Sequence, residues 1–390
     1  MISLPIYLDY NATTPVDARV LETMLPYFSK KFGNAASKTH SFGWMAEEAV
    51  NHSRKQIADF IGCSEQEIIF TSGATEAINL AIKGVFEFYQ SKGNRIITVK
   101  TEHKAVLDVC SSLEKKGAEI IYLSVNKDGL IDLNELEKAV TEKTILVSVM
   151  LANNETGVIQ PMKEIAEIVH RKGSILMSDT TQAIGKIPLT SLPFGEGQGG
   201  VDLLCLSAHK FYGPKGIGAL FVRRKNPRVN LISQIDGGGH ERGLRSGTLN
   251  VPAVVGMGKA IEILMKTENW KLEIERINNL RNKLEKKLLE ISGAKINGQN
   301  ADRLPNTCNV FFEGIASEKL IMKTKDIAYS AGSACTSALM QPSHTLKAMG
   351  LSDNNSYSSI RLSLGRWTTE TEIDFAIEKI KLAVEELRME

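Results

Sequence analysis

The sequence is poor in cysteine, and the few cysteines that it has lie far apart. Only five occur in 390 residues, and no two of them form a Cys-x-x-Cys pair. An odd number of scattered cysteines argues against a disulfide framework and against a cysteine-based zinc site. The seven histidines include no His-x-x-x-His pair, so the sequence predicts no metal site.

Long apolar runs and blocks of like charge are missing as well. No apolar run approaches the roughly 20 residues that span a bilayer, and Met1 to Pro5 lack the pattern of a secretory signal. The formal net charge is only +2, with acidic and basic residues mixed along the chain. These features disfavour membrane insertion and direct nucleic-acid binding, and we expect a cytoplasmic protein.

The length and the composition favour a globular protein with more than one domain. A chain of 390 residues exceeds a single ordinary hydrophobic core. Its 43% of apolar and 24% of charged residues are typical of a folded, soluble protein. We therefore expect two domains that share a cleft.

Short β-branched runs alternate with helical stretches between about residues 67 and 222. This alternation predicts an α/β domain with a mostly parallel sheet. Ligands of such sheets bind beyond the carboxyl ends of the strands. The predicted strands are 68–71, 95–99, 119–123, 144–149, 174–179, 202–206 and 218–222, and the clearest predicted helices are 74–90 and 161–171.

A glycine-rich stretch, Gly237 to Gly243, interrupts this alternation. After Pro252 the pattern changes to a long, charged, amphipathic segment. We therefore expect a large domain of residues 16–251. A smaller α+β domain would consist of residues 1–15 together with residues 252–390.

The small domain contains a stretch of small residues, Ala331 to Ser337, that predicts a loop around Cys335, within about residues 323–342. A thiol on an exposed loop is the reactive kind. Cys205 and Cys308 lie in or beside apolar runs, where buried structural thiols are usual. Cys335 is therefore the candidate for a chemically active cysteine.

A lysine, Lys210, follows directly after the predicted strand at residues 202–206. It could be an ordinary solvent-exposed residue at a strand end. In a dry pocket, its amine would instead form a Schiff base with a carbonyl cofactor. The neighbouring strand ends help to decide between these alternatives.

Residues near those strand ends match what pyridoxal phosphate requires. Asp179 closes a predicted strand and offers a carboxylate for the ring nitrogen, and Gln182 offers an amide for the 3'-oxygen. The segment Ser72–Thr75 lies between a strand and a helix, where backbone N–H groups bind phosphate. Ser207 and His209 add possible donors to that site.

Each of these residues has an ordinary explanation when it is taken alone. Asp179 could cap a helix, Ser72–Thr75 could be a turn, and His103 could be the polar residue that begins a helix. Their occurrence together on one predicted sheet favours a cofactor site.

Seven segments along the chain, taken together, resemble one enzyme family. The family is that of the group I cysteine desulfurases of the nitrogen-fixation and iron–sulfur-cluster type, within the class V aminotransferases. The resemblance covers essentially the whole chain, in identity, order and approximate spacing. The segments are Leu8–Pro15, Thr71–Glu76, Thr101–Lys104, Asn153–Gly157, Ser207–Lys210, Arg245–Thr248 and Gly332–Cys335.

The resemblance implies fold type I of the pyridoxal-phosphate enzymes, with a large, mostly parallel sheet domain and a smaller α+β domain. It also implies a homodimer whose active sites borrow residues from the partner subunit. The expected reaction converts L-cysteine to L-alanine and leaves the sulfur as a persulfide on Cys335. The sulfur would then pass to an acceptor such as an iron–sulfur scaffold protein, although the C-terminal extension that helps such docking in the family is not found after Glu390.

The resemblance further implies a role for each site residue. Lys210 would attach the cofactor, His103 would stack on its ring and transfer protons, and Cys335 would take the sulfur. The other residues implied to bind the cofactor are Gly73, Ala74, Thr75, Asn154, Asp179, Gln182, Ser207, His209 and, from the partner subunit, Thr248. The residues implied to orient the substrate are Asn34, Asn154 and Arg361, the last as a bidentate clamp on the carboxylate.

Other activities would suit the same scaffold. A selenocysteine lyase, an aminotransferase or a β-eliminating lyase would use the same cofactor site without requiring Cys335 on a loop. A non-catalytic sulfur-relay or dimeric scaffold protein would require neither Lys210 nor Asp179. The presence of all three residues favours the desulfurase.

Overall fold

The computed structural model describes residues 3–188, 200–266, 270–331 and 342–390. Its strands, in chain order, are β1 (Ile6–Tyr7), β2 (Ile68–Thr71), β3 (Arg95–Val99), β4 (Glu119–Leu123), β5 (Thr144–Ser148), β6 (Ile175–Asp179), β7 (Leu203–Ser207), β8 (Gly218–Val222), β9 (Ala294–Ile296), β10 (Thr307–Phe312), β11 (Ile327–Ala328) and β12 (Ser359–Ser363).

Helices cover a large part of the described chain. The α-helices are α1 (Ala18–Met24), α2 (Pro26–Ser29), α3 (Ser41–Ile61), α4 (Ala74–Tyr89), α5 (Lys104–Glu114), α6 (Leu133–Ala139), α7 (Met162–Arg171), α8 (Val251–Lys266), α9 (Trp270–Leu288), α10 (Ser317–Lys323), α11 (His344–Ala348), α12 (Asp353–Tyr357) and α13 (Glu370–Met389). Short 3-10 helices lie at Glu65–Glu67, Ala208–Lys210 and Glu241–Gly243. No helix in the described ranges is both long and apolar enough to cross a membrane.

Seven strands form one large sheet in the order β2-β8-β7-β6-β5-β3-β4. All neighbouring pairs are parallel except the two that β8 makes with β2 and β7. Strands β5 to β8 are buried along their whole length, as expected for continuous apolar runs covered on both faces. The predicted α/β architecture is confirmed, and the seven predicted strands agree with the observed bounds to within one residue.

Two hydrophobic clusters hold helices against the two faces of this sheet. Helices α4 and α5 pack on one face, with residues such as Ile82 and Val109. Helices α3, α7 and α8 pack on the other face, with residues such as Ile57, Ile165 and Ile261. The result is a helix–sheet–helix sandwich whose strand ends stay accessible at its edges.

A third cluster forms the core of the C-terminal part. The antiparallel sheet β12-β10-β9 and the parallel pair β1-β11 pack against α9, α10 and α13. Ile6 and Leu8 lie in this cluster, far along the chain from its other members. The division into domains stays a prediction, and helix α8, which begins at the predicted boundary, packs in the cluster of the large sheet.

A buried ion pair ties α3 to the glycine-rich stretch. The Arg54 guanidinium donates two hydrogen bonds to the Glu241 carboxylate, at 2.6 and 2.8 Å, and both side chains are almost fully buried. Glu241 also accepts a hydrogen bond from the Phe70 backbone N–H at 2.7 Å. Arg54 donates to the Ile68 carbonyl, so the pair fixes edge strand β2 as well.

We expect Glu241→Gln to lower the free energy of unfolding by about 3–5 kcal/mol, because it leaves the Arg54 charge buried without a counter-ion. Urea unfolding followed by tryptophan fluorescence measures the change. Asp59→Ala is the control, since it removes the exposed ion pair with Lys55 and should change little. Equal effects of the two substitutions would contradict the importance of the buried pair.

Candidate active site

A cavity of about 1210 Å³ lies beyond the carboxyl ends of β2, β3, β5, β6 and β7. These five strands point the same way because β8 alone is antiparallel to its neighbours. The chain after each of them lines the cavity. Residues of the C-terminal part, including Met322, Tyr329 and Arg361, close the other side. The cavity therefore lies between the large sheet and the smaller sheets.

Lys210 lies within the 3-10 turn that follows β7, and its side chain lines the cavity. Its Nζ donates hydrogen bonds to the carbonyls of Asn11 at 2.5 Å and Ala12 at 2.8 Å. Desolvation lowers the pKa of Lys210 to about 8, and the nearby Arg361 charge adds to the effect. The neutral, nucleophilic form of this amine is therefore far more populated near physiological pH than that of an ordinary lysine, although the protonated form still predominates.

The N-terminus of helix α4 also faces the cavity. Gly73 occupies the N-cap without a capping side chain, and the next residues, Ala74 and Thr75, line the cavity. The first N–H groups of a helix have no partner within the helix, so they are ready to bind an anion. Ser207 and His209 lie on the same wall.

His209 adds a donor to this wall, but no charge. Its Nδ1 lies 3.1 Å from the Thr13 hydroxyl. Desolvation, together with the Lys210 charge, lowers the pKa of His209 to about 4. The imidazole is therefore neutral at physiological pH and offers an N–H to an anion such as a phosphate.

Asp179 ends strand β6 and lines the cavity beside Gln182. The Asp179 carboxylate accepts the Thr181 backbone N–H at 2.9 Å, which fixes its orientation. Gln182 donates from Nε2 to the Asn11 carbonyl at 2.9 Å and accepts at Oε1 from Lys186 at 2.6 Å. A carboxylate and an oriented amide thus follow the same strand.

His103 is the N-cap of helix α5 and is exposed to the cavity. Its Nδ1 accepts the Ala105 backbone N–H at 3.1 Å. That contact puts the ring proton on Nε2 in the neutral form. Desolvation by the surrounding walls lowers the pKa of His103 below its ordinary value. The capping role and the position in the cavity wall are both observed.

Arg361, on β12, is buried and well anchored. Its guanidinium donates to Asp9 Oδ1 at 2.6 Å, to the Ser330 hydroxyl at 3.1 Å and to the Asn154 carbonyl at 3.1 Å. Ser330 in turn donates to the other Asp9 oxygen at 2.9 Å. The arginine predicted to bind a substrate carboxylate therefore already holds a carboxylate of the protein.

The structure brings most of the predicted site residues to this one cavity. Asn34 and Thr248 do not line it, and both are exposed. Cys335 lies outside the described residues. The residues from the prediction that do line the cavity are Gly73, Ala74, Thr75, His103, Asn154, Asp179, Gln182, Ser207, His209, Lys210 and Arg361.

Three polar residues around the cavity were not predicted from the sequence to have a role there. Asp9 holds the arginine, Asn11 receives hydrogen bonds from Gln182 and Lys210, and Lys186 holds Gln182. The only sequence signal for Lys186 is a charged residue inside the otherwise small and apolar run at 183–188. In the described ranges, no group of three or more His, Cys, Asp or Glu side chains could hold a metal ion.

The comparisons with known proteins agree with this geometry. The sequence matches the family Aminotransferase class-V over residues 6–375. It is 54% identical over 388 residues to the protein named Cysteine desulfurase IscS of Anaeromyxobacter sp. (strain Fw109-5), covering 99% of this chain and 94% of that protein.

Solved structures give the same result. A NifS-like protein superposes with a TM-score of 0.87 at 38% identity, covering 97% of this chain and 99% of the other. The structure described as SspA in complex with cysteine gives a TM-score of 0.79 at 34% identity, covering 93% of this chain and 100% of the other. The fold that the resemblance implied is thereby confirmed. The chain belongs to the aminotransferase class-V family, whose members use pyridoxal phosphate, and within that family it groups with the cysteine desulfurases.

Proposed function

We propose that this protein is a cysteine desulfurase that converts L-cysteine to L-alanine and carries the sulfur on Cys335 as a persulfide. The observation that supports this most is the convergence, in one cavity, of a lysine of lowered pKa, a carboxylate, a helix N-terminus and a buried arginine. The 54% identical relative is named for the same reaction.

The residues of the cavity fit pyridoxal phosphate. The N-terminus of α4, with Ser207 and His209, would hold the phosphate, and Asp179 would hold the protonated ring nitrogen. Gln182 would donate to the 3'-oxygen, and Lys210 would attach the aldehyde carbon. When bound, the cofactor supplies an electron sink for the pair released from a broken bond at the substrate's α-carbon.

Arg361 would bind and orient the substrate. A guanidinium matches a carboxylate with two parallel hydrogen bonds, and its low exposure strengthens that contact. The Asn154 carbonyl holds one end of the guanidinium in place. The substrate's carboxylate would take over the nitrogen that now contacts Asp9.

Lys210 and His103 would move the protons. A neutral Lys210 amine would accept the substrate's α-proton, and its pKa of about 8 suits that task near neutral pH. His103 keeps Nδ1 engaged with Ala105, so Nε2 is the atom that exchanges protons in the cavity.

Cys335 would take the sulfur. Ala331, which precedes Cys335 by four positions in the sequence, lines the cavity. The Cys335 thiolate attacks the sulfur of cysteine, an S–S bond forms and the substrate's C–S bond breaks. The electron pair of that bond stays with the β-carbon, which is protonated to the methyl group of alanine. The reaction balances without another oxidant or reductant.

We also propose that the protein is a homodimer whose subunits share their sites. The α1–α3 region exposes large apolar side chains that a lone subunit would leave in water. Asn34 and Thr248 are exposed outside their own cavity, where they could serve a partner's site. The exposed apolar residues are Leu21, Leu25, Phe28, Phe32, Phe42, Trp44 and Met45.

We place the protein in the cytoplasm, because the proposed reaction requires a reduced Cys335 thiol and that compartment keeps thiols reduced. The persulfide sulfur would then pass to a thiol on an acceptor protein, such as an iron–sulfur scaffold. Transfer between thiols proceeds by the same kind of thiolate attack that loads Cys335.

We expect Cys335→Ala to retain the absorbance of the bound cofactor and to lose alanine and sulfide formation from L-cysteine by at least about 100-fold. The control is Cys63→Ala, a half-buried thiol that does not line the cavity. Absorbance spectra, with alanine and sulfide quantified in parallel, measure both effects. Full alanine formation by the Cys335 variant, or pyruvate as the product, would assign the protein to one of the rival activities.

We expect the apoprotein to take up pyridoxal phosphate faster as the pH rises, with a plateau above about pH 8, because only the neutral Lys210 amine reacts. Stopped-flow absorbance measures the rate. The control in solution is lysine acetylated on its α-amine, which leaves the side-chain amine free. Its rate should keep rising toward the ordinary lysine pKa of about 10.4. A protein rate that followed acetyl-lysine, or covalent uptake by Lys210→Ala, would show that Lys210 is not the attachment site.

We expect light scattering to give twice the mass of the 42.9 kDa chain. Phe28→Asp combined with Phe32→Asp should shift the protein toward monomer, since both rings belong to the exposed apolar region. Leu272→Asp, an equally exposed apolar position on α9, is the control and should stay dimeric. A monomeric parent protein would refute the shared sites.

A further inference from the structure

Lys186 is a buried lysine that the proposed reaction does not use. Only 8% of its surface is exposed. Across the described ranges, no carboxylate forms a salt bridge with it, and its charged neighbours are Lys210 and Arg361. Burial, with the repulsion of these two cations, lowers its pKa well below the ordinary value for lysine. Burial of an amine without a counter-ion costs stability unless hydrogen bonds compensate for it.

Those contacts are specific. The Lys186 Nζ donates to Gln182 Oε1 at 2.6 Å and to Asn11 Oδ1 at 3.2 Å. Asn306 donates to the same Asn11 oxygen at 3.1 Å, which fixes that oxygen as the acceptor. Two of the amine's N–H groups therefore have acceptors.

The contact with Lys186 determines which way the Gln182 amide points. Its oxygen faces the Lys186 donor, so its NH₂ group faces the Asn11 carbonyl, 2.9 Å away. The opposite orientation would place the amide oxygen against that carbonyl, two acceptors without a proton between them. Lys210 donates to the same Asn11 carbonyl, so the NH₂ group lies beside the reactive amine.

We propose that Lys186 is a positioning residue, which holds the Gln182 amide so that its NH₂ group donates to the 3'-oxygen of bound pyridoxal phosphate. This inference rests on the proposed function, because it assigns Gln182 to that oxygen. An N–H donor stabilises the anionic form of the oxygen and lowers the pKa of the bound chromophore. Lys186 therefore lowers the pKa of the bound chromophore without contacting the cofactor.

The test is a pH titration of the absorbance of the holoenzyme and its variants. Lys186→Met should raise the titration midpoint of the bound chromophore by about one pH unit, the size expected for one hydrogen bond to a charged group. Methionine has a similar length and removes a buried amine that has no counter-ion, so we expect this variant to fold. Lys163→Met, an exposed position on α7, is the control and should leave the midpoint unchanged.

A double-mutant comparison shows whether Lys186 acts through Gln182. Gln182→Leu should raise the midpoint by a similar amount, and adding Lys186→Met should raise it no further. An unchanged midpoint in folded Lys186→Met, or additive shifts in the double variant, would overturn the inference. A parent protein that binds no pyridoxal phosphate would instead refute the proposed function.

If the methionine variant does not fold, the same titration is made with Lys186→Gln. Its side-chain amide keeps an N–H donor for Gln182 while losing the amine, so its midpoint should stay close to that of the parent. A midpoint equal to that of Gln182→Leu would show that donation to the Gln182 oxygen is not what Lys186 contributes.

Discussion

The shared direction of five strands in the large sheet is the constraint on which the site depends. Parallel strands deliver their following residues to one edge, and the antiparallel β8 lets β2 join them there. Gly218 makes this arrangement possible, since a Cβ at that position would lie 2.7 Å from the Gly73 Cα. The helix N-terminus, Asp179 and Lys210 therefore meet because of backbone topology, before any contact between their side chains.

That constraint explains why so much could be predicted from the sequence. Continuous apolar runs mark strands that are buried on both faces, and their ends matched the structure to within one residue. Polar residues that follow such runs must lie at one sheet edge, so the sequence alone could place Asp179, His103 and Lys210 in a common cavity. The roles of these residues within the cavity stay predictions.

What could not be predicted depends on contacts between distant parts of the chain. The hydrogen bond between Lys186 and Asn11 joins residues 175 positions apart, and that between Arg361 and Asp9 joins residues 352 apart. No local pattern encodes such pairs. Helix α8 is a similar case. The sequence indicates where this helix begins, but it does not indicate which hydrophobic cluster buries the helix. Thr248 does not line the cavity of its own chain, so its role in a partner subunit's site stays a prediction.

The contact between Asp9 and Arg361 has a consequence for how tightly the cavity holds its ligands. The Asp9 carboxylate would compete with a ligand's carboxylate for Arg361. Because Asp9 is part of the protein, its effective concentration at Arg361 is high and does not depend on the concentration of the ligand. If a ligand's carboxylate binds Arg361 as proposed, it would gain only the difference between its own contact with Arg361 and the Asp9 contact that it displaces. The guanidinium is thus never left buried and unpaired. The same exchange would favour the release of an amino-acid product, because Asp9 would compete for Arg361 again.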